Sequence, residues 1–395
     1  MVKKLVFIFV VAVLLTACKE EIANEQENNK QPIVESETQQ EEETTLKEPE
    51  IYTATISAIG DILIHNSVYE DAYIGNQQYD FTKMFQHVKP YFETADIAVA
   101  NSESIIGGQE IGLSSYPAFN SPYEVGDALK DLGINVVTMA NNHTLDRGER
   151  AILNATNYWN ELGILYVGAA TSLEESEEIK TLTSNHIVFS FLGYTYGTNG
   201  LVPPKGKEYL VNYIDDEKIQ QDIERAKEIS DVVVVNLHWG TEYQRHFNLE
   251  QERIAKLVAD AGAHIILAHH PHVLQPAKWY EGKNGNQTFV IYSLGNFLSA
   301  QDKLYRQIGA ILQLDVKKTV VYDMTGHPVT SIEIENPQLL PTYVKFQNWR
   351  NYEILPFYRL TNEDLANADG IYEELKVHMS QYMPELQFIE REAES

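Results

Sequence analysis

Short apolar runs that stop on a carboxylate, an amide or an imidazole recur along this chain. They constrain its fold more than any other feature. Val232-Val233-Val234-Val235 is apolar without alternation and gives way to Asn236-Leu237-His238. Ala263-His264-Ile265-Ile266 gives way to Leu267-Ala268-His269-His270-Pro271-His272. A run of this kind bounded by polar residues predicts a strand buried on both faces, and parallel neighbours then need helical crossovers. Residues 215–229 and 249–261 are amphipathic at the helical period and supply them. Strand and helix in alternation predict an α/β domain with a largely parallel sheet.

The same pattern runs through the rest of the chain. Residues 53–59 read as a strand ended by Gly60-Asp61, followed by a helix-like stretch with Phe81, Met84, Phe85, Val88 and Phe92. Residues 96–100 read as a strand ending in Asn101-Ser102-Glu103, and 134–139 as one ending in Ala140-Asn141-Asn142-His143. Ser121-Pro122 predicts an N-cap with proline at the first helical position, and Gly133 the stop. A second helix is expected over 150–162 with Gly163 as its stop, and further strands over 164–167, 186–192 and 288–292. The last of these leads into Ser293-Leu294-Gly295-Asn296-Phe297. Residues 308–316 and 329–335 alternate in polarity as an antiparallel pair does. Thr361 is expected to cap a C-terminal helix reaching to about 383, continuous or broken at Gly370.

Hydrophobic residues make up 44% of the chain, enough for a full core, and its formal charge is −27. That charge repels phosphate backbones and argues against a nucleic-acid partner. An anionic substrate is admitted where metal cations reverse the local field. The single cysteine, Cys18, follows Lys3, Lys4 and an apolar run over 5–15 that is short for a membrane span. Leu15-Thr16-Ala17-Cys18 resembles the bacterial lipobox, which implies cleavage before Cys18 and a diacylglyceryl group on its sulfur. The alternative is an ordinary signal peptide with an incidental cysteine. The expected organisation is a lipoprotein signal peptide at 1–18, a disordered acidic linker at 19–50 and a folded domain at 51–345. A C-terminal helical extension with an acidic tail is expected at 346–395. On this reading the domain is extracytoplasmic and anchored to the cell membrane by lipid. It has no disulfide to hold it.

Asp61, Glu103, Asn142 with His143, His238, and His270 with His272 each fall where a predicted strand becomes a loop. In open α/β sheets that carboxyl edge is where ligands bind. A mixed set of carboxylates, an amide oxygen and imidazoles suits one or two divalent ions such as Mn, Fe or Zn. Packing explains histidines past a buried strand poorly, although a His-rich surface turn is the alternative, and Asp61, Asn141 and Asn142 have alternatives as turn and cap residues. His65, Asn141, Asp146, Glu242 and Asn296 are candidates to meet substrate or to orient the ligands. His269 is an even choice between pointing away and binding, because neighbours on a strand alternate. His246 is an even choice between site and surface. Arg147 and Arg245 are candidates for an anionic substrate, with ordinary exposed arginines as the alternative, and Trp239 and Phe297 are expected in the core or the pocket wall.

Six segments in order resemble the motif set of the bacterial capsule-synthesis CapA proteins. They are Gly60-Asp61, Asn101-Ser102-Glu103, Asn141-Asn142-His143-Thr144-Leu145-Asp146, His238-Trp239-Gly240-Thr241-Glu242, His269-His270-Pro271-His272 and Tyr292-Ser293-Leu294-Gly295-Asn296-Phe297. The resemblance covers residues 52–300 and implies a part in poly-γ-glutamate biosynthesis, with membrane subunits of the poly-γ-glutamate synthase as candidate partners. That family is similar to the calcineurin-like metallophosphoesterases, which implies a four-layered α/β/β/α sandwich with a two-metal site. The resemblance would give Asp61 and His272 to a first metal, Glu103 to the bridge, and Asn142, His238 and His270 to a second. His143 would serve the leaving group or the transition state. Two departures stand out. Ile62-Leu63 replaces the second ligand expected two residues after Asp61, and the bridging position is Glu where Asp is usual. The function implied is a metal-dependent hydrolase. A non-catalytic scaffold or export factor for poly-γ-glutamate is the alternative from another class, and transfer or cleavage of γ-glutamyl bonds is a third.

Overall fold

Strand β1 (Glu50–Ile62) starts half-exposed and ends fully buried, which carries Asp61 into the interior. The computed structural model describes residues 47–392, so Cys18, the leader and all but the end of the linker lie outside the described residues. After β1 come helix α1 (Asn66–Ala72), a small hairpin β2 (Tyr73–Gly75) and β3 (Gln78–Tyr79), the single turn α2 (Thr82–Phe85) and β4 (Ile97–Asn101). The helix expected across Phe81 to Phe92 is two short pieces, because Pro90 heads a separate 3-10 turn over Lys89–Phe92 and supplies no N–H to a longer helix. Its apolar side chains are nevertheless all buried.

Helix α3 (Glu124–Leu132), β5 (Val136–Thr138), α4 (Gly148–Leu162) and β6 (Leu165–Val167) repeat the strand–helix alternation. Ser121 does not cap α3. Its hydroxyl donates to Ser104 Oγ at 3.0 Å, and the helix opens only at Glu124. Gly133 and Gly163 end α3 and α4 in the left-handed region, where the missing Cβ removes the steric cost. Then follow α5 (Leu173–Ser176), β7 (Lys180–Ser184), β8 (Ile187–Thr195), α6 (Asp216–Ile229), β9 (Val232–His238), α7 (Leu249–Ala261) and β10 (Ile265–His269). Asp215 caps α6 by accepting the Lys218 N–H at 2.8 Å, and Asn248 with Gln251 forms a reciprocal capping box on α7.

The remaining elements are β11 (Leu274–Glu281), β12 (Gln287–Leu294), β13 (Asn296–Leu298), β14 (Ile308–Tyr322), β15 (Pro328–Gln347), β16 (Arg350–Pro356), α8 (Ala368–Ser380) and β17 (Gln387–Phe388). The alternating pair expected at 308–335 is β14–β15, longer than the alternation alone indicates. Past residue 345 the chain continues the sheet through β16 before it turns helical. Helix α8 starts at Ala368 rather than at Thr361, with Gly370 inside it, and buries Tyr372, Leu375 and Met379.

One sheet has the order β16-β15-β14-β1-β4-β5-β6, with β13 on β1 and β17 on β15; the other has the order β11-β12-β10-β9-β8-β7. From β1 to β6 and from β12 to β8 the neighbours are parallel, as the uninterrupted apolar runs require. The two sheets share one core, with Ile56, Ala58 and Val99 of the first against Phe189, Val234 and Ile265 of the second. Leu129, Ile152 and Trp159 of α3 and α4 cover the outside of the first sheet, and Ile223 and Val258 of α6 and α7 the outside of the second. The result is the four-layered α/β/β/α sandwich. Among the described residues no helix is long and apolar enough to cross a membrane.

Candidate metal centre

The site forms where the parallel strands of both sheets end. β1 delivers Asp61, β4 delivers Asn101 and, two residues on, Glu103; the loop after β5 carries Asn141, Asn142 and His143. From the second sheet β9 delivers His238, and β10 delivers His269 and leads to His270 and His272. Gly60 lets the chains approach. A Cβ there would sit 1.9 Å from the Gly295 carbonyl oxygen, which accepts the Asp61 N–H at 2.8 Å.

Asp61 is fully buried and well partnered. Its Oδ1 accepts Asn101 Nδ2 at 2.8 Å, and its Oδ2 lies 3.1 Å from His272 Nδ1. Burial pushes its carboxyl up, but the contact with His272 and the charges of His272 and His269 outweigh that and hold it below the ordinary range. Glu103 differs. Both of its buried oxygens lack a hydrogen-bond partner, and burial together with the nearby Asp61 carboxylate raises it well above the ordinary range. His238 Nε2 stands 3.6 Å and His272 Nε2 3.7 Å from Glu103 Oε1, too far for hydrogen bonds. Burial lowers His269 to about 4 and His270 to about 3, and lowers His238 as well, so three of the imidazoles are held neutral. His272 goes the other way, to about 9, because Glu103 and Asp61 outweigh its burial.

Unpartnered buried polar atoms are costly, and here they cluster. Besides Glu103, both nitrogens of His269 and Nδ1 of His270 have no partner. The ligand atoms of Asp61, Glu103 and His272 all lie within 4.8 Å of one another, and so do those of Glu103, His238 and His270, and of Glu242, His270 and His272. Glu103 belongs to two of these sets and joins them. A divalent cation could satisfy such a donor set, because it is bound by carboxylate and neutral imidazole together. The residues present fit one. His270 and His272 reach their places through left-handed backbone, at φ 97° and 56°, which is unusual for residues other than glycine.

The family described as bacterial capsule synthesis protein PGA_cap matches residues 55–301, a span that contains every one of these side chains. The chain belongs to that family. Among its relatives, the PGA biosynthesis protein CapA of Bacillus subtilis (strain 168) is 31% identical over 289 residues, covering 72% of this chain and 73% of that one. The capsule biosynthesis protein CapA of Bacillus anthracis is 30% identical over 302 residues, covering 70% of each. TT1561 of Thermus thermophilus, a solved structure, covers 71% of this chain and 98% of its own at 11% identity and a TM-score of 0.36, a likeness too slight to build on.

In this member of the capsule-synthesis family the other expected site residues divide clearly. Asn142 Oδ1 lies 2.8 Å from His238 Nε2, beside the ligand sets. Asn296 Oδ1 lies 3.0 Å from His272 Nδ1 and so orients that ring. His143 Nδ1 meets Asp146 Oδ2 at 2.7 Å, and the same oxygen accepts the Phe119 N–H at 2.6 Å, which leaves Nε2 as the imidazole's remaining nitrogen. Asn141 organises the loop: its Oδ1 accepts the His143 N–H at 3.0 Å and its Nδ2 donates to the Ser102 carbonyl at 3.0 Å. Glu242 is exposed at the rim of its set. His65 joins none of the sets. Its Nδ1 is 3.0 Å from the Leu63 carbonyl and 3.2 Å from the Ala300 N–H, and burial lowers it to about 4.

Arg147 is occupied by the Ile111 and Gly112 carbonyls and Ser114 Oγ, and Arg245 by Glu374 at 2.8 Å. His246 packs its ring against His378, and Phe297 against Phe85 and Phe92; buried Trp239 donates to the Tyr292 carbonyl. Of the two directions open to His269, the structure shows the one toward the site. Its Nδ1 lies 3.7 Å from Asp61 Oδ1, because the inner face of β10 looks onto the end of β1. Asn101, passed over in the sequence as a ligand, holds Asp61 and lies 3.4 Å from His238 Nδ1. Its signal was its place as the last residue of an apolar strand.

Proposed function

We propose that this protein is a metal-dependent hydrolase of capsule or poly-γ-glutamate biosynthesis, tethered outside the cell membrane by lipid on Cys18. The observation that carries the hydrolase reading is Glu103, a buried carboxylate without a hydrogen-bond donor, common to two ligand sets. The relatives named for PGA and capsule biosynthesis support the biological setting. Asp61, Glu103 and His272 would hold one cation, and Glu103, His238 and His270, with Asn142 beside them, a second, of the Mn, Fe or Zn kind. A divalent ion bound there supplies Lewis acidity toward a phosphoryl or acyl oxygen.

The protein's own residues do the rest. Asp146 accepts the His143 Nδ1–H, which directs the ring, and the His143 imidazolium gives its Nε2 proton to the departing oxygen. Asn141 keeps that loop against Ser102, and Asn296 keeps the His272 ring in place. Asp61, Glu103, His238, His270 and His272 are all buried, which shields them from bulk water. Metal analysis of the purified domain followed by a panel of phosphoesters and γ-glutamyl peptides tests this. His143→Ala is expected to keep its metal and lose turnover by about a hundredfold or more. Full activity in that variant would remove His143 from the reaction, and a protein that binds no metal and cleaves nothing would favour the scaffold role.

A further inference from the structure

We propose that Arg306 is an anion-recognition residue of this site, receiving a carboxylate or phosphate oxyanion of the substrate beside the reacting group. The inference rests on the hydrolase reading and adds to it the charge of the substrate. Two loops clasp each other through reciprocal arginine–tyrosine stacks at the mouth of the site. The loop after β9 gives Tyr243 and Arg245, and the 3-10 turn Leu304–Gln307 gives Tyr305 and Arg306. Arg245 lies 3.8 Å over the Tyr305 ring, and Arg306 lies 3.4 Å over the Tyr243 ring. The stacks match in geometry but not in charge. Glu374 neutralises Arg245 at 2.8 Å, whereas Arg306 forms no ion pair among the described residues.

The unneutralised member of the clasp is tied to the metal ligands twice. The Tyr243 N–H donates to the Pro271 carbonyl at 2.7 Å, between His270 and His272, and the Tyr243 ring lies 6.0 Å from the His272 ring. On the other side Asn296 Nδ2 donates to the Arg306 carbonyl at 2.8 Å, while Asn296 Oδ1 contacts His272. Tyr243 holds its position through a left-handed backbone at φ 67°. A guanidinium stacked flat on a ring keeps its N–H edge open, and that edge matches a planar or tetrahedral oxyanion with two parallel hydrogen bonds. In a chain of charge −27, with Glu242 on the same rim, an unpaired arginine held one ring away from His272 gives an anionic substrate a local reason to approach.

The test measures binding apart from turnover. Full-length protein loaded with Mn²⁺, as wild type, Arg306→Gln and Arg306→Lys, is titrated with γ-linked triglutamate, with the methyl ester of that peptide and with inorganic phosphate. We expect R306Q to keep its metal content and melting temperature, to bind triglutamate about tenfold more weakly or worse, and to lose the salt dependence of that binding. The lysine variant should fall between, and the ester should bind wild type and R306Q alike. A matching loss for phosphate alone assigns the pocket to a phosphoryl group, and for triglutamate alone to a carboxylate. Equal binding of both anions by wild type and R306Q overturns the proposal, as does metal loss in R306Q with full anion binding in R306K, which would make the clasp a structural latch. If R306Q does not fold, Tyr243→Leu, which removes the ring beneath the guanidinium, carries the same comparison with the same outcomes. Wild type that binds anions through Arg306 but hydrolyses nothing would defeat the hydrolase reading and leave the anion site standing.

Discussion

At the scale of single residues, burial lowers several of this chain's histidines, and not only at the site. His264 turns its Nδ1 back onto the Val233 N–H at 3.0 Å, extending the ladder at the start of β9. Burial, with help from the Lys227 charge, lowers it to about 4. Well above pH 6.5 the ring is neutral both folded and unfolded, so it contributes no pH dependence there. Below 6.5 the unfolded chain takes up a proton that the folded chain refuses, so stability falls as pH drops toward 4. His378, also lowered to about 4 by burial, acts in the same direction. His264→Asn keeps an acceptor near the Nδ1 position and cannot titrate. Its urea-unfolding free energy is expected to lose less than wild type between about pH 6.5 and 4, by at most about 3 kcal/mol. An identical slope in the two proteins would show that the Val233 contact does not depend on a neutral ring.

At the scale of elements, the site depends on how closely β1 passes Gly295 at the β12–β13 junction. Gly60→Ala places a methyl within 3 Å of two carbonyl oxygens and a carbonyl carbon, all backbone, so a strand must move and not merely a side chain. Because the neighbouring Asp61 N–H is bonded to the same Gly295 carbonyl, that movement displaces a candidate ligand. The variant is expected to lose about 3 kcal/mol or more and to bind metal weakly, measured by denaturant melts with and without Mn²⁺. Wild-type metal affinity in a folded Gly60→Ala protein would mean that Asp61 is not a ligand. Local chemistry accounts well for several other elements. Asp215, Asn248 with Gln251, Gly133 and Gly163 set helix ends by contacts within a few residues, and those ends were legible in the sequence. The edge strands β7 and β11 were not. They are part polar, β11 contains Pro276, and only their pairing to β8 and β12 makes them strands.

At the scale of the whole molecule, the candidate ligand sets draw on both sheets: Asp61 and Glu103 from one, and His238, His270 and His272 from the other. A cation there would tie the sheets together across the end of their shared core. Mn²⁺ is therefore expected to raise the melting temperature, with about 2.7 kcal/mol of stabilisation at about a hundred times its dissociation constant. A chelator should reverse the shift and Glu103→Gln should abolish it; a shift that survives in Glu103→Gln would place the ion elsewhere. What the sequence determined alone was whatever depends on neighbours along the chain. The apolar runs specify parallel strands, the glycine stops at Gly133 and Gly163 end helices, and Asp61, His238, His270 and His272 announce themselves as polar residues where a buried strand ends. What only the tertiary structure decided was whatever depends on one sheet facing the other. His269 turns toward Asp61, Asn101 becomes the partner of Asp61, Arg147 is taken up by the segment at 111–114 and Arg245 by Glu374 of α8. Arg306 is brought to the rim by its stack on Tyr243, a residue far away in sequence. A strand's alternation tells which neighbours share a face, but the chemistry opposite that face is set by the packing of the two sheets.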